Sequence, residues 1–216
     1  MTLLQAMTKG ALALGAFALI TAGSVAVTRS VTEERIEANR LVYQHRQLRE
    51  VLPPALLGIE LETLLQGAFT LPVAEVLGHA EPTQGWHVEH ESKQALILPV
   101  VSHQGYSGEI HLLVGFDGQR RITGVRVTRH QETPGLGDKI ERRKSEWITA
   151  FEGMTLDSLP PSAWAVSKDG GDFDSFSGAT ITPRAVVEAV HRTLRYAEHH
   201  DLPASLEPPA TQARTP

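Results

Sequence analysis

Residues 10–28 contain no charged side chain, and Lys9 is the only charge before Arg29. At ~1.5 Å rise per residue the run spans roughly 28 Å as a helix, close to the ~30 Å hydrocarbon core of a bilayer. This feature limits the fold first, because nothing downstream is large enough to bury such a helix. A cleaved signal peptide shares the pattern, with Lys9 and the small residues near Ser24 to Ala26. The run is nevertheless longer than the ~7–15 apolar residues of a signal's central region, so residues 1–29 are read as a single transmembrane anchor. Arg29, Arg35 and Arg40 stand on the side opposite Lys9 and the amino terminus, so counting charges does not orient it.

Composition removes whole classes of function. The 216 residues carry a net charge of −5 with 41% hydrophobic content, enough for a core. That balance points away from nucleic acid, whose phosphates need clustered Lys and Arg. With no cysteine, disulfides, thiolate nucleophiles, cysteine-ligated zinc and iron–sulfur clusters are absent together. Any electron carried here needs an organic cofactor.

Ser30 followed by Glu33 reads as a capping box opening a membrane-proximal helix over residues 30–55. Ile36, Leu41, Leu48 and Leu52 follow its apolar spacing and Pro53-Pro54 stop it. Residues 56–200 read as an α+β domain with its core over about 95–198. Strands are expected at 95–102, 108–116 and 122–128, with a hairpin at Asp117-Gly118 and a short strand at 164–166. A helix is expected over 139–151, and a last helix opens with Thr182 as cap and Pro183 in its first turn. Residues 201–216, rich in Pro and Ala, read as a disordered tail.

Two stretches carry candidate chemistry. In Asp172-Phe173-Asp174-Ser175-Phe176-Ser177-Gly178-Ala179-Thr180-Ile181-Thr182-Pro183, small and hydroxylated residues and a glycine precede a helix N-terminus, where unpaired N–H groups and the helix dipole favour an anion. An ordinary loop and cap is the competing reading. In His130-Gln131-Glu132-Thr133-Pro134-Gly135-Leu136-Gly137-Asp138-Lys139, a strand passes to a helix through a turn. Pro134-Gly135 suits the centre of a type II turn, a placement that often supports binding residues.

These two runs, together with Gly105-Tyr106-Ser107-Gly108, resemble in sequence and order the G subunit of the Rnf ion-translocating electron-transport complex. More distantly they resemble the C subunit of the sodium-translocating NADH:quinone reductase. The resemblance implies a mixed α/β FMN-binding domain behind a single transmembrane helix. It implies FMN bonded through its phosphate to Thr180 by a magnesium-dependent flavin transferase that consumes FAD and releases AMP, with Asp174 in the motif the transferase reads. On the same footing Ser177, Gly178 and Ala179 surround the phosphate. Glu132, Thr133, Pro134, Gly135, Leu136 and Gly137 form a wall against the isoalloxazine ring. Lys168 lies beside the phosphate or near the ring, with a solvated lysine as the plain alternative. His130 is read as a satisfied loop histidine, and no metal site is assigned. The implied setting is the bacterial inner membrane, with the flavin domain on the periplasmic side. There the chain would pass electrons between the members of a ferredoxin/NAD oxidoreductase complex that moves H⁺ or Na⁺, and would not be catalytic alone. The competing classes are a Ser177 or Thr180 hydrolase, which lacks a G-x-S-x-G elbow, a cofactor-free membrane scaffold, and the C subunit of the quinone reductase.

Overall fold

The computed structural model describes residues 3–200 and 202. They fall into two compact units, Met1–His45 and Arg46–Pro216. Helix α1 covers Leu3–Arg49, and the backbone is already helical at Ser30, so the Ser30/Glu33 pair does not start a helix. The side chains of Ile36 and Leu41 lie outside the described residues.

In the first unit, Met7–Arg29 is long and apolar enough to cross a membrane, with a mean hydropathy of 2.0. Its hydroxyls are satisfied locally. Thr21 donates to the Phe17 carbonyl at 2.9 Å, Ser24 to Ile20 at 2.7 Å and Thr28 to Ser24 at 2.8 Å. Such back-bonding lets polar side chains sit in a lipid-facing helix without an orphaned donor.

The second unit is built on an antiparallel sheet: β1 (Ala68–Thr70), β2 (Gln84–His90), β3 (Lys93–Ser102), β4 (Ile110–Asp117) and β5 (Ile122–Arg129), neighbours in chain order. Leu98 pairs with Val114, which pairs with Val125. The hairpin after β4 is held by Asp117, whose Oδ1 accepts from the N–H groups of Gln119 and Arg121 at 2.9 and 3.0 Å. The three strands expected from the apolar runs are present with ends moved by a residue or two.

Both faces of this sheet are covered, so β3 reads as a continuous apolar run rather than an alternation. Leu96, Leu98, Val100, Leu112, Val114 and Phe116 share one cluster with Val186, Val190 and Leu194 of α3 (Ile181–His199). On the other face Ala95, Ile97 and Leu113 meet Leu48, Val51 and Leu52, with Leu64 of the short helix α2 (Leu61–Gln66). Gly115 makes this second contact feasible: a Cβ there would lie 2.1 Å from the Val51 carbonyl oxygen.

Three expectations need correction. Residues 139–151 form no continuous helix but two 3-10 turns, Asp138–Ile140 and Glu146–Phe151. Ser145 opens the second by accepting from Trp147 N at 3.1 Å, a local side-chain bond that competes with helix propagation, while Ile140, Ile148 and Phe151 are driven into the core. The strand at 164–166 shrinks to one bridge, Val166 with Phe173. Helix α3 starts at Ile181 with Thr180 as the capping position, and no side chain caps it. Of the expected tail, Leu202 is buried in the core, and residues 203–216 lie outside the described residues.

Candidate functional site

The loops 103–109, 130–137 and 172–180 converge at the start of α3 around a cavity of about 350 Å³. That is the small end of the ~300–1,000 Å³ range of ligand pockets. Glu132, Thr133, Leu136, Gly137, Gly178, Ala179 and Thr180 line it, joined by Tyr106, Ile181 and Thr182. The two candidate stretches, far apart in sequence, therefore form one site.

The 172–180 loop is held from below by aromatic burial. Phe173 and Phe176 are buried. Phe173 stacks on Phe151 at 4.7 Å between ring centroids, and Phe176 meets Trp147 edge-on at 5.1 Å. Trp147 also donates from its indole N–H to the Asp174 carbonyl at 2.8 Å. The two phenylalanines thus anchor the loop. Between these anchors and α3 the chain turns at Ser177-Gly178. The Ala179 N–H reaches the Phe176 carbonyl at 3.1 Å, and Gly178 takes φ +83°, where a Cβ is disfavoured.

Thr180 follows, half-buried, and its hydroxyl caps nothing. Lys168 Nζ lies 3.4 Å from Thr180 Oγ1. The turn carrying Lys168 is tied to α3 by Arg184, whose guanidinium donates twice to Asp169 at 2.6 and 2.8 Å. That pair holds the Asp169 carboxyl below, and the Arg184 guanidinium above, its ordinary value. The N–H groups of Ile181 and Thr182 belong to the first turn and have no helical acceptor four residues back. A hydroxyl, an ammonium and a helix N-terminus meet at one point, which suits a phosphate ester.

The opposite wall rests on Glu132, a buried carboxylate. Its Oε1 accepts from Ser107 N at 3.0 Å and its Oε2 accepts the Thr182 hydroxyl. One side chain thereby ties three segments together. Gly137 lies against this pin, with room for no Cβ: Thr182 Oγ1 would be 2.9 Å away and Glu132 Cβ 3.0 Å. The turn ahead of it is type II, as its sequence implies: the Leu136 N–H reaches the Thr133 carbonyl at 3.1 Å and Gly135 has φ +79°. Asp138 caps that turn from inside, accepting from Gly135 N at 2.8 Å. His130 accepts from Glu132 N through Nδ1 at 3.1 Å and pairs through Nε2 with Glu141 at 3.0 Å, so it is satisfied within the fold.

Not every candidate faces the cavity. Pro134 and Gly135 form the outside of the turn, and Ser177 is exposed at its corner. Asp174 lines a neighbouring groove with Trp147 and Phe176. Sequence reasoning misses Tyr106, Ile181 and Thr182 as site residues. The signal for Tyr106 is its place in the Gly-Tyr-Ser-Gly run. Thr182 has the local pattern of a helix cap, although its hydroxyl serves Glu132.

Comparisons with known proteins agree with this geometry. Residues 105–195 match the FMN-binding domain family, and residues 1–51 match the RnfG N-terminal region. All the residues lining the cavity, Tyr106 to Thr182, thus fall within an FMN-binding domain that follows an apolar N-terminal helix. The chain is 45% identical over 193 residues to the G subunit of the ion-translocating oxidoreductase complex of Pseudomonas aeruginosa, covering 89% of each. It is 44% identical over 204 residues to the G subunit from Salmonella typhi, covering 94% of this chain and 96% of the relative. It belongs to this family of G subunits, and its Met7–Arg29 segment fits a single-pass membrane protein. The C subunit of the Na⁺-translocating NADH-quinone reductase of Parabacteroides distasonis shares the fold, with a TM-score of 0.54 at 18% identity, over 78% of this chain and 98% of that one.

Proposed function

We propose that this chain carries FMN in phosphoester linkage to Thr180 and serves as the electron-carrying member of an Rnf-type ion-translocating ferredoxin/NAD oxidoreductase complex. It would be anchored in the bacterial inner membrane with the flavin domain on the periplasmic side. The observation that carries the reading is the Thr180 hydroxyl, uncommitted to capping and 3.4 Å from Lys168 Nζ at the mouth of the cavity. Attachment by a separate magnesium-dependent flavin transferase would form the Thr180 Oγ–P bond at the flavin-side phosphorus of FAD. The pyrophosphate P–O bond breaks, AMP leaves, and the hydroxyl proton goes to the transferase.

The chain's own residues would then divide the work. The α3 N-terminus stabilises the linked phosphate by ~0.3–1 kcal/mol, and the Lys168 ammonium adds an exposed, salt-screened contact. Glu132, Thr133, Leu136 and Gly137 shape the wall on which a planar ring rests, with Gly178 and Ala179 leaving clearance beside it. Bound FMN supplies the redox chemistry, which no side chain here provides. Covalent attachment prevents its loss by dissociation and keeps the ring at a high effective concentration.

In-gel flavin fluorescence after full denaturation tests the linkage, on protein from a host with an active flavin transferase. Wild type should give a fluorescent band and Thr180→Val a dark one. A dark wild-type band refutes the covalent reading.

A further inference from the structure

Resting on the Thr180 reading, we infer that the Tyr106 ring covers the isoalloxazine of the linked flavin and shields it from solvent. Three of the seven large apolar side chains left more than a third exposed among the described residues of the second unit meet at this cavity: Tyr106, Leu136 and Ile181. Scattered exposed apolar residues need no explanation, but a cluster rimming a pocket marks a binding surface. Tyr106 is the extreme case, at 67% exposed.

Its exposure is imposed by the loop. Ser107 N is fixed on Glu132. A Cβ on Gly105 would sit 2.2 Å from the Gly108 carbonyl oxygen and 2.9 Å from Glu132 Oε1, and Gly108 itself takes φ +130°. The backbone on either side of Tyr106 is therefore locked, and the ring stands at the cavity mouth with its apolar faces uncovered. With the backbone beneath it already ordered, only the side chain's own torsions remain to be fixed on stacking. A planar, electron-poor ring system tethered at Thr180, on the same cavity, has the shape and electronics to be stacked on a phenol.

The test uses the full flavinylated chain in detergent, as wild type, Tyr106→Leu and Tyr106→Phe. Native flavin fluorescence is titrated with iodide, and denatured-gel fluorescence is measured in parallel. Tyr106→Leu should keep wild-type denatured fluorescence, while its native iodide-quenching rate constant (the quenching slope divided by the fluorescence lifetime) rises about 2- to 10-fold, the range an aromatic contact commands. Tyr106→Phe, which keeps the ring, should remain near wild type. Equal quenching in wild type and Tyr106→Leu, with equally bright denatured bands, overturns the shielding role alone. So does a Phe variant as accessible as the Leu variant. A dark denatured wild-type band instead overturns the Thr180 linkage and this inference with it.

Discussion

Replacing Glu132 with Ala removes the acceptor shared by Ser107 N–H and the Thr182 hydroxyl, in a residue only 4% exposed. A buried donor left without a partner costs ~1–3 kcal/mol. The buried Thr182 hydroxyl bears that cost, while the N–H of the exposed Ser107 can turn to water, so the loss is about 1–3 kcal/mol. For a unit of this size each kcal/mol lowers Tm by ~2–4 °C, so the variant should melt about 2–12 °C below wild type. Glu132→Gln keeps an oxygen for Ser107 and offers an N–H₂ to Thr182, and should lose roughly half as much. The assay is thermal melting of the full chain in detergent, followed by tryptophan fluorescence. Trp86, Trp147 and Trp164 all lie in the second unit, so the signal is independent of α1 up to His45. A double-mutant cycle with Thr182→Val should return a coupling of ~0.5–3 kcal/mol. An Ala variant melting within about 2 °C of wild type, or a coupling near zero, refutes the view that this carboxylate pins the three segments together.

Two further outcomes are expected. His87, His111 and His191 are all held below the ordinary histidine value, first of all by burial. The unfolded chain then binds more protons than the fold as pH drops through about 6.5, so melting temperature should fall between about pH 7 and pH 5. His191→Phe keeps a ring against Trp164, whose centroid is 5.0 Å away, and should flatten that slope; an unchanged slope argues against the burial effect at this residue. Lys168→Met should lower flavin incorporation by up to about fivefold, as an exposed ion contact of ~0.2–1 kcal/mol allows. Lys168→Arg should restore it, and incorporation unaffected by the Met change excludes Lys168 from the phosphate site.

The apolar run at 10–28, the strand-length runs of β3 to β5, the Pro134-Gly135 turn and the two motif stretches were all legible locally. Each expresses backbone preference or hydrophobic period within a few residues, which does not depend on the rest of the chain. The elements that were not legible depend on partners distant in sequence. Strands β1 and β2 carry little apolar alternation; β2 forms on the edge that β3 offers, and β1 on the edge that β2 then offers. The expected helix at 139–151 gave way because Ile148 and Phe151 gain more from the core than an isolated helix gains from propensity. Phe173 and Phe176 acquire a purpose only against Phe151 and Trp147, which are distant in sequence. By itself the sequence determined a membrane-length helix, an α+β core and two stretches able to bind an anion and a ring. Tertiary structure alone brought those stretches into one cavity, gave Thr182 to Glu132 rather than to the helix cap, and set Tyr106 at the rim. Those outcomes depend on which buried donors find acceptors across fifty residues of chain or fewer, and no local preference encodes that pairing.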